Sequence, residues 1–363
     1  MGDVAVRFRS PAAVGEYLAG RAGSPVEESA APATGPLDEL LTQPSLPLSA
    51  LAQPLRRLLP VLIHDLALPL VIRDGRVSWC EGARSQADEL DAGRIAGVLA
   101  AHVPAAARHQ AARCQIHTCL LVDSTNTVLM RAATAGARTP QVLLAHCQSA
   151  GRGRHQRAWH GRWGEAIQLS VLVDSGRTLA QLSGLPLAAG VAVARALAEL
   201  TGLPPGPAGI GLKWPNDLVH GSGKLGGLLV ETAGSTESGA RAVIGLGLNW
   251  LAPASLQAAA GQPVAALAGL PGIDGIDRAE VAGRVLAHLL AALQQFQDEG
   301  LAPFLAGFQA FDVLAGQPVR VIAGNADAVD GVALGLAGDG ALRVRHGVHE
   351  RCYHSAEVSV RRA

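Results

Sequence analysis

The stretch 213–231, KWPNDLVHGSGKLGGLLVE, decides how the rest of the chain is read. A strand over 209–213 ends at its first residue, the chain turns at Pro215-Asn216-Asp217, and a second apolar strand over 224–231 opens on a lysine. A cation, an amide and a carboxylate at one turn suit the place where α/β proteins put ligands. Pro-Asn-Asp is equally an ordinary turn sequence, and Lys224 is equally an edge lysine beside a bulge. The neighbouring segments settle the class. Strands are expected over 117–122, 141–147, 167–173 and 242–248, with helices over 127–135, 179–201 and 278–298 and a further helical segment ending near Phe311. This order predicts an α+β (mixed α/β) domain with one large sheet.

Beyond Asp312 the pattern changes to short strands near 318–323, 328–336, 341–346 and 356–361, joined by Gly/Asp turns, which suggests a small β-barrel. On the other side, residues 87–114 read as an Ala-rich linking helix. Residues 51–66 have helical spacing that Pro60 should kink or split. Next, 68–72 and 77–79 flank Arg73-Asp74-Gly75-Arg76, a hairpin signal. Short helices followed by a hairpin outline a winged helix. The expected division is a flexible segment 1–36, a degenerate winged-helix-like unit 37–84, a linker helix 85–114, a main domain 115–312 and a terminal barrel 313–363.

Composition narrows the function. Aromatic residues are 3% of the 363, so the core must be built from Leu, Val and Ala. A formal net charge of zero gives no global field toward DNA or anionic membranes. Five scattered cysteines form no CxxC pair and no zinc spacing, which fits free thiols in a reducing cytosol. Met1–Gly20 has no signal-peptide core, and no run of 18 apolar residues occurs, so a soluble, cytoplasmic protein without a membrane span is expected.

Several segments could carry chemistry. In Gly151-Arg152-Gly153-Arg154-His155-Gln156-Arg157, glycines let the backbone approach an anion while guanidinium forks grip its oxygens. A solvated surface loop is the plainer alternative. The segment is neither a Walker A loop nor a dinucleotide fingerprint. Gly245-Leu246-Gly247-Leu248-Asn249 leaves room above a sheet, or marks a barrel corner, and Asp123-Ser124-Thr125-Asn126 reads equally as a helix cap.

Taken jointly, DSTN (123–126), QSAGRGRHQRAW (148–159), KWPNDL (213–218), KLGGLLVE (224–231) and GLGLN (245–249) resemble the ligand-binding segments of biotin protein ligases. The likeness runs from about Leu120 to the C-terminus and includes LAALQQFQDEGLAPFLAGFQAFD (290–312). It implies a class II synthetase-like, lipoate-ligase-like central domain and an SH3-like terminal barrel. It also implies two reactions: biotin and ATP give biotinyl-5′-AMP, with Mg²⁺, and biotin then passes to a lysine of the biotin carboxyl carrier protein of acetyl-CoA carboxylase. Such proteins often pair edge to edge, so a homodimer is implied too. By the same resemblance Ser124, Thr125, Asn126, Gln148, Arg152, Gly153 and Gly227 belong to the biotin site. Arg157, Trp159, Asn216 and Asn249 belong to the ATP/AMP site. Arg154, Lys213 and Lys224 carry the catalysis, with Arg154 and Lys224 also on biotin and Arg154 and Lys213 also on the nucleotide. No protein metal site is implied.

The chain departs from the family at Gln156, where glycine is frequent, and at Glu165-Ala166, where a small residue and Asn are usual. These put the shape of the arginine loop and the adjoining biotin contacts in doubt. Some relatives repress genes through the winged helix. Here 37–84 carries five Asp/Glu against five Arg, so it has no basic footprint, and a structural or regulatory remnant is expected rather than DNA binding. A lipoate ligase and a non-catalytic biotin-responsive regulator are the alternatives.

Overall fold

A computed structural model describes residues 37, 40, 43–51, 53–80, 90–236, 239–323, 328–354 and 358–362. The expected segment 1–36 and the start of the linking helix, up to residue 89, lie outside them.

The central sheet has seven strands. They are β4 (Gln115–Val122), β5 (Gln141–Gln148), β6 (Ala166–Asp174), β7 (Ile210–Lys213), β8 (Asp217–His220), β9 (Gly223–Thr236) and β10 (Gly239–Asn249), in the order β4-β5-β6-β10-β9-β8-β7. Only β4 and β5 run parallel; the other neighbours are antiparallel. Asp217, the last residue of the expected turn, opens β8, which pairs with both β7 and β9.

Alternation along the central strands gives the sheet two unlike faces. Ile167, Leu169, Val171 and Val173 of β6, with Ile244, Leu246 and Leu248 of β10, join the main apolar core. Helices α2 (Ala92–His102), α5 (Leu185–Thr201), α7 (Arg278–Glu299) and α8 (Ala302–Phe311) complete that layer, while the short α6 (Ala254–Ala260) lies outside it. Asp277 caps α7 by accepting from the Glu280 N–H, and Gly202 ends α5 at φ +66°. The stretch Leu179–Thr201 is long and apolar enough to cross a membrane, but 78% of its most apolar part is buried here as a core helix.

The opposite face is covered by α4 (Thr125–Thr134), whose Leu129 and Ala133 pack on Leu143, Leu172 and Val243. The same face carries the buried polar residues Gln168 and Ser170 of β6, and beyond α4 it opens into a cavity.

Two sequence expectations change. The single linking helix is divided into α2 and α3 (Arg108–Arg113) by a 3₁₀ turn after Pro104. It does not stand apart either: Ile95 and Leu99 lie in the main core, and Val98 fills the space a Cβ would take at Gly283. Pro60 does not split its helix. Helix α1 (Gln53–Asp65) is continuous, with the proline on the solvent side while Leu59 and Leu62 are fully buried. Burial of that face outweighs the one hydrogen bond the ring removes.

Helix α1 packs with a three-stranded sheet of β1 (Ser45–Pro47), β2 (Leu70–Arg73) and β3 (Arg76–Trp79), order β1-β3-β2. The core of this small unit continues into Leu120, Leu121, Cys147 and Trp163 of the main domain. At the C-terminus, β11 (Pro318–Ala323), β12 (Val329–Leu336), β13 (Leu342–His346), β14 (His349–Tyr353) and β15 (Val358–Arg362) form a small antiparallel sheet, order β14-β13-β12-β11-β15. Strand β14 was not expected; Gly347 at φ +60° closes the tight turn that creates it.

His146 is buried where the small unit meets the main domain, 1% exposed and stacked on Trp163 at 4.5 Å. Neither ring nitrogen has a hydrogen-bond partner among the described residues. Burial, with a smaller contribution from the Arg278 charge, lowers its pKa to about 3. The unfolded chain therefore takes up a proton near pH 6.5 that the folded chain refuses until about pH 3. Stability should fall by about 1.4 kcal/mol per pH unit as the pH drops below about 6.5. Urea titrations between pH 7 and 4.5 should show this slope, and His146→Phe, which keeps the stack, should flatten it; an unchanged slope would refute the assignment.

Candidate ligand pocket

On the open face of the sheet lies a cavity of about 770 Å³. Its floor is made by three neighbouring strands in register: Ser170 of β6 opposes Gly245 of β10, which opposes Leu229 of β9, and Gln168 opposes Gly247 and then Gly227. The two β10 glycines hold the floor low. A Cβ on Gly245 would lie 2.2 Å from Asn126 Oδ1, and one on Gly247 would lie 2.3 Å from Trp159 Cε2. Asn126 and Trp159 therefore lie directly on the backbone of β10.

A chain of hydrogen bonds ties the floor together. Gln148 Oε1 accepts from the Thr125 N–H at 2.7 Å, and Gln148 Nε2 donates to Gln168 Oε1 at 2.7 Å. The Ser170 hydroxyl lies 2.7 Å from Thr125 Oγ1 and 2.6 Å from Asn126 Oδ1. Asn126 Nδ2 donates to Glu231 Oε2 at 2.8 Å. Ser124, Thr125, Asn126, Gln168 and Ser170 are all buried, so partners for each are a physical requirement.

Cations form the rim. The segment 151–159 folds back on itself: Gly153 N–H donates to Arg157 O at 2.7 Å and Trp159 N–H to Gly151 O at 2.9 Å. Gly151 has no room for a Cβ, which would meet Trp159 O at 2.7 Å. His155 (φ +53°) and Gln156 (φ +57°) at the loop tip are left-handed. The Gln156 position thus has the backbone conformation that favours glycine. Arg154 NH1 lies 3.4 Å from Asn216 Oδ1. Burial lowers the Arg154 pKa; Asp217 opposes that and Arg157 adds to it. A partly desolvated guanidinium is what an anion site needs.

Lys224 reaches the same face through a bulge. Residues 224 and 227 would point to opposite faces of a regular strand. Strand β9, however, places Gly226 opposite Leu218 and Lys224 opposite Val219, so Leu225 is an extra residue. The re-phased Lys224 Nζ pairs with Asp217 Oδ1 at 2.7 Å and sits 5.9 Å from the Trp159 ring centre. Asn249 Nδ2 donates to Lys224 O at 2.9 Å and Ala265 O at 3.2 Å, fixing the backbone at the lysine.

All fourteen residues singled out from the sequence line this one cavity: Ser124, Thr125, Asn126, Gln148, Arg152, Gly153, Arg154, Arg157, Trp159, Lys213, Asn216, Lys224, Gly227 and Asn249. Gln168, Ser170 and Glu231 have no role in the sequence reading, and Asp217 enters it only as the carboxylate of the turn at 213–217. The alternation I-Q-L-S-V in β6 was the available signal for the first two, since polar residues recur at every second position of an apolar strand.

The sequence model of the biotin/lipoate A/B protein ligase family matches residues 119–249. The bifunctional ligase/repressor BirA of Escherichia coli is 32% identical over 245 residues, 67% of this chain and 73% of that protein. The chain belongs to this family. The biotin–[acetyl-CoA-carboxylase] ligase of Mycobacterium tuberculosis is 36% identical over 231 residues, 63% of this chain and 82% of that one. The structure of a biotin protein ligase from Aquifex aeolicus in complex with biotin and ATP superposes with a TM-score of 0.56 at 26% identity, covering 69% of this chain and 99% of that one. In this family member the floor geometry predicts a contrast between glycines. Gly247→Ala should cost about 1–3 kcal/mol through overpacking against Trp159. Gly97→Ala on α2, where a Cβ meets nothing within 4 Å, should gain about 0.5–1 kcal/mol. Urea denaturation of both variants tests this, and equal effects would contradict the packing described.

Proposed function

We propose that the protein is an ATP-dependent biotin protein ligase. The observation that carries this reading is the meeting, in one cavity of family members' sequence pattern, of a polar hydrogen-bonded floor with a rim of arginines and lysines. The biotin carboxylate attacks the α-phosphorus of ATP and expels pyrophosphate, giving biotinyl-5′-AMP. The amine of an acceptor lysine then attacks the acyl carbon of this anhydride and AMP leaves. Both anions of the first step repel each other, so the protein's main task is to hold them together and offset their charge.

In this reading Ser124, Thr125, Asn126, Gln148 and Gly227 hold biotin on the floor, with Arg152 and Gly153 beside its carboxylate. Arg154 and Lys224 bridge carboxylate and phosphate. Lys213, Asn216, Arg157 and Trp159 face the nucleotide. The buried Trp159 Nε1–H has no partner among the described residues and offers a donor to a ligand acceptor. Asn249 is assigned to the AMP side through the backbone it fixes at Lys224. Among the described residues no three His, Cys, Asp or Glu cluster to cage a metal. Mg²⁺ would enter with the nucleotide and offset the charge on its phosphates.

A carboxyl carrier domain as acceptor, pairing of two copies, and a cytoplasmic location, which suits five cysteines that form no disulfide among the described residues, belong to the same proposal. For the small N-terminal unit we propose a structural or regulatory role without DNA binding. Arg56, on its helix, spends its guanidinium on Leu51 O and Ser49 O.

Biotin-dependent exchange of pyrophosphate into ATP, followed by streptavidin detection of a labelled carrier domain, tests the function. Exchange with lipoate instead would move the protein to the sister activity. Arg154→Ala and Lys224→Ala should each slow adenylate formation by about 10²–10³ while the unfolding midpoint moves little. Wild-type turnover in either variant would overturn these roles.

A further inference from the structure

Glu231 lies outside every role given above, yet it joins the two halves of the pocket. Its Oε2 accepts from Asn126 Nδ2 at 2.8 Å and from Arg152 NH2 at 3.1 Å. One carboxylate oxygen thus links the floor to the arginine loop. Asn126 cannot shift to follow it, because the far end of its amide contacts Ser170 Oγ and rests on the backbone of Gly245. Strand β9, which carries Glu231, also carries Lys224 and Gly227 of the cavity lining, so the carboxylate stands on the same strand as the lysine.

The arginine is held by one edge only. NH2 takes Glu231 and also Thr127 Oγ1 at 3.3 Å, while Nε and NH1 have no hydrogen bond among the described residues. The fork is oriented and still able to receive an anion through its other nitrogens. The ion pair is 40% exposed on the arginine and 25% on the glutamate, so it is weak in energy. What it supplies is placement of the guanidinium before an anion arrives.

We infer that Glu231 is a positioning residue for the carboxylate-bearing substrate: it sets Arg152 over the pocket and fixes the Asn126 amide before the ligand arrives. This rests on the ligase reading for its substrate but not for its geometry.

The test uses the full chain and its Glu231→Gln and Glu231→Ala variants. Gln keeps an oxygen for Asn126 and removes the charge that holds Arg152; Ala removes both. KM for biotin in pyrophosphate exchange should rise about five-fold or more in the Gln variant and further in the Ala variant, with kcat within about two-fold. The Arg152→Ala/Glu231→Gln double variant should match Arg152→Ala alone, since both act through one contact. Without any ligand, trypsin should cut within 152–157 several-fold faster in Glu231→Gln than in wild type. Additive effects in the double variant, a fall in kcat with KM unchanged, or unaltered cleavage would overturn the inference. If the wild type shows no biotin-dependent exchange, the ligase reading has failed, and the cleavage rates still decide whether Glu231 places the loop.

Discussion

The pocket depends on two side chains that are absent. Gly245 and Gly247 occupy the middle strand of the sheet, and every polar group on the floor is arranged around the space they leave. Asn126 and Trp159 lie in that space. Ser170 and Gln168 reach across to meet Asn126 and Gln148 because nothing stands between them. The intervening Leu246 and its neighbours Ile244 and Leu248 face the helices. The same strand that opens the ligand face therefore closes the core, through the two-residue period of β structure.

A second constraint is electrostatic. A cavity rimmed by arginines and lysines is costly unless the charges have partners, and at two corners the sheet supplies carboxylates: Asp217 for Lys224 and Glu231 for Arg152. Both acids stand on strands rather than loops. Each cation is thus held at a fixed place without being buried, a quarter exposed for Lys224 and 40% for Arg152. Arg154 is partly desolvated, which lowers its pKa, and an arriving anion would offset that cost.

Much of this was legible in the sequence. The alternation of strands and helices marked the sheet, and the joint pattern of DSTN, GRGR, KWPND and KLGG marked residues that the fold brings into one cavity. What escaped had physical reasons. Lys224 and Gly227 are three residues apart, and only the bulge at Leu225, a pairing property of two strands, puts them on one face. Strand β14 is HERCY, polar enough to pass as a loop, and its pairing with β13 makes it a strand. Pro60 has the low helix propensity of any proline, which the burial of Leu59 and Leu62 overrides. Asp217 and Glu231 look like a turn residue and a strand end until their partners, more than twenty residues away in the case of Arg152 and Asn126, are folded beside them.

The arginine loop shows how such a site stores strain. Left-handed backbone at His155 and Gln156 costs each residue about 1 kcal/mol or more. Such a tip persists only where its surroundings dictate it. Here the bridge between Arg152 and Ala158 and the bonds from Gly153 and Trp159 close the base of the loop. Four residues beyond Trp159, Trp163 is locked among Leu66, Trp79 and His146, with its N–H donating to Leu66 O at 3.1 Å. The segment is pinned at the floor by one tryptophan and under the N-terminal unit by the next. A non-glycine residue can therefore stand at position 156, because the energy that holds its unfavourable φ comes from anchors on either side of the loop rather than from the residue itself.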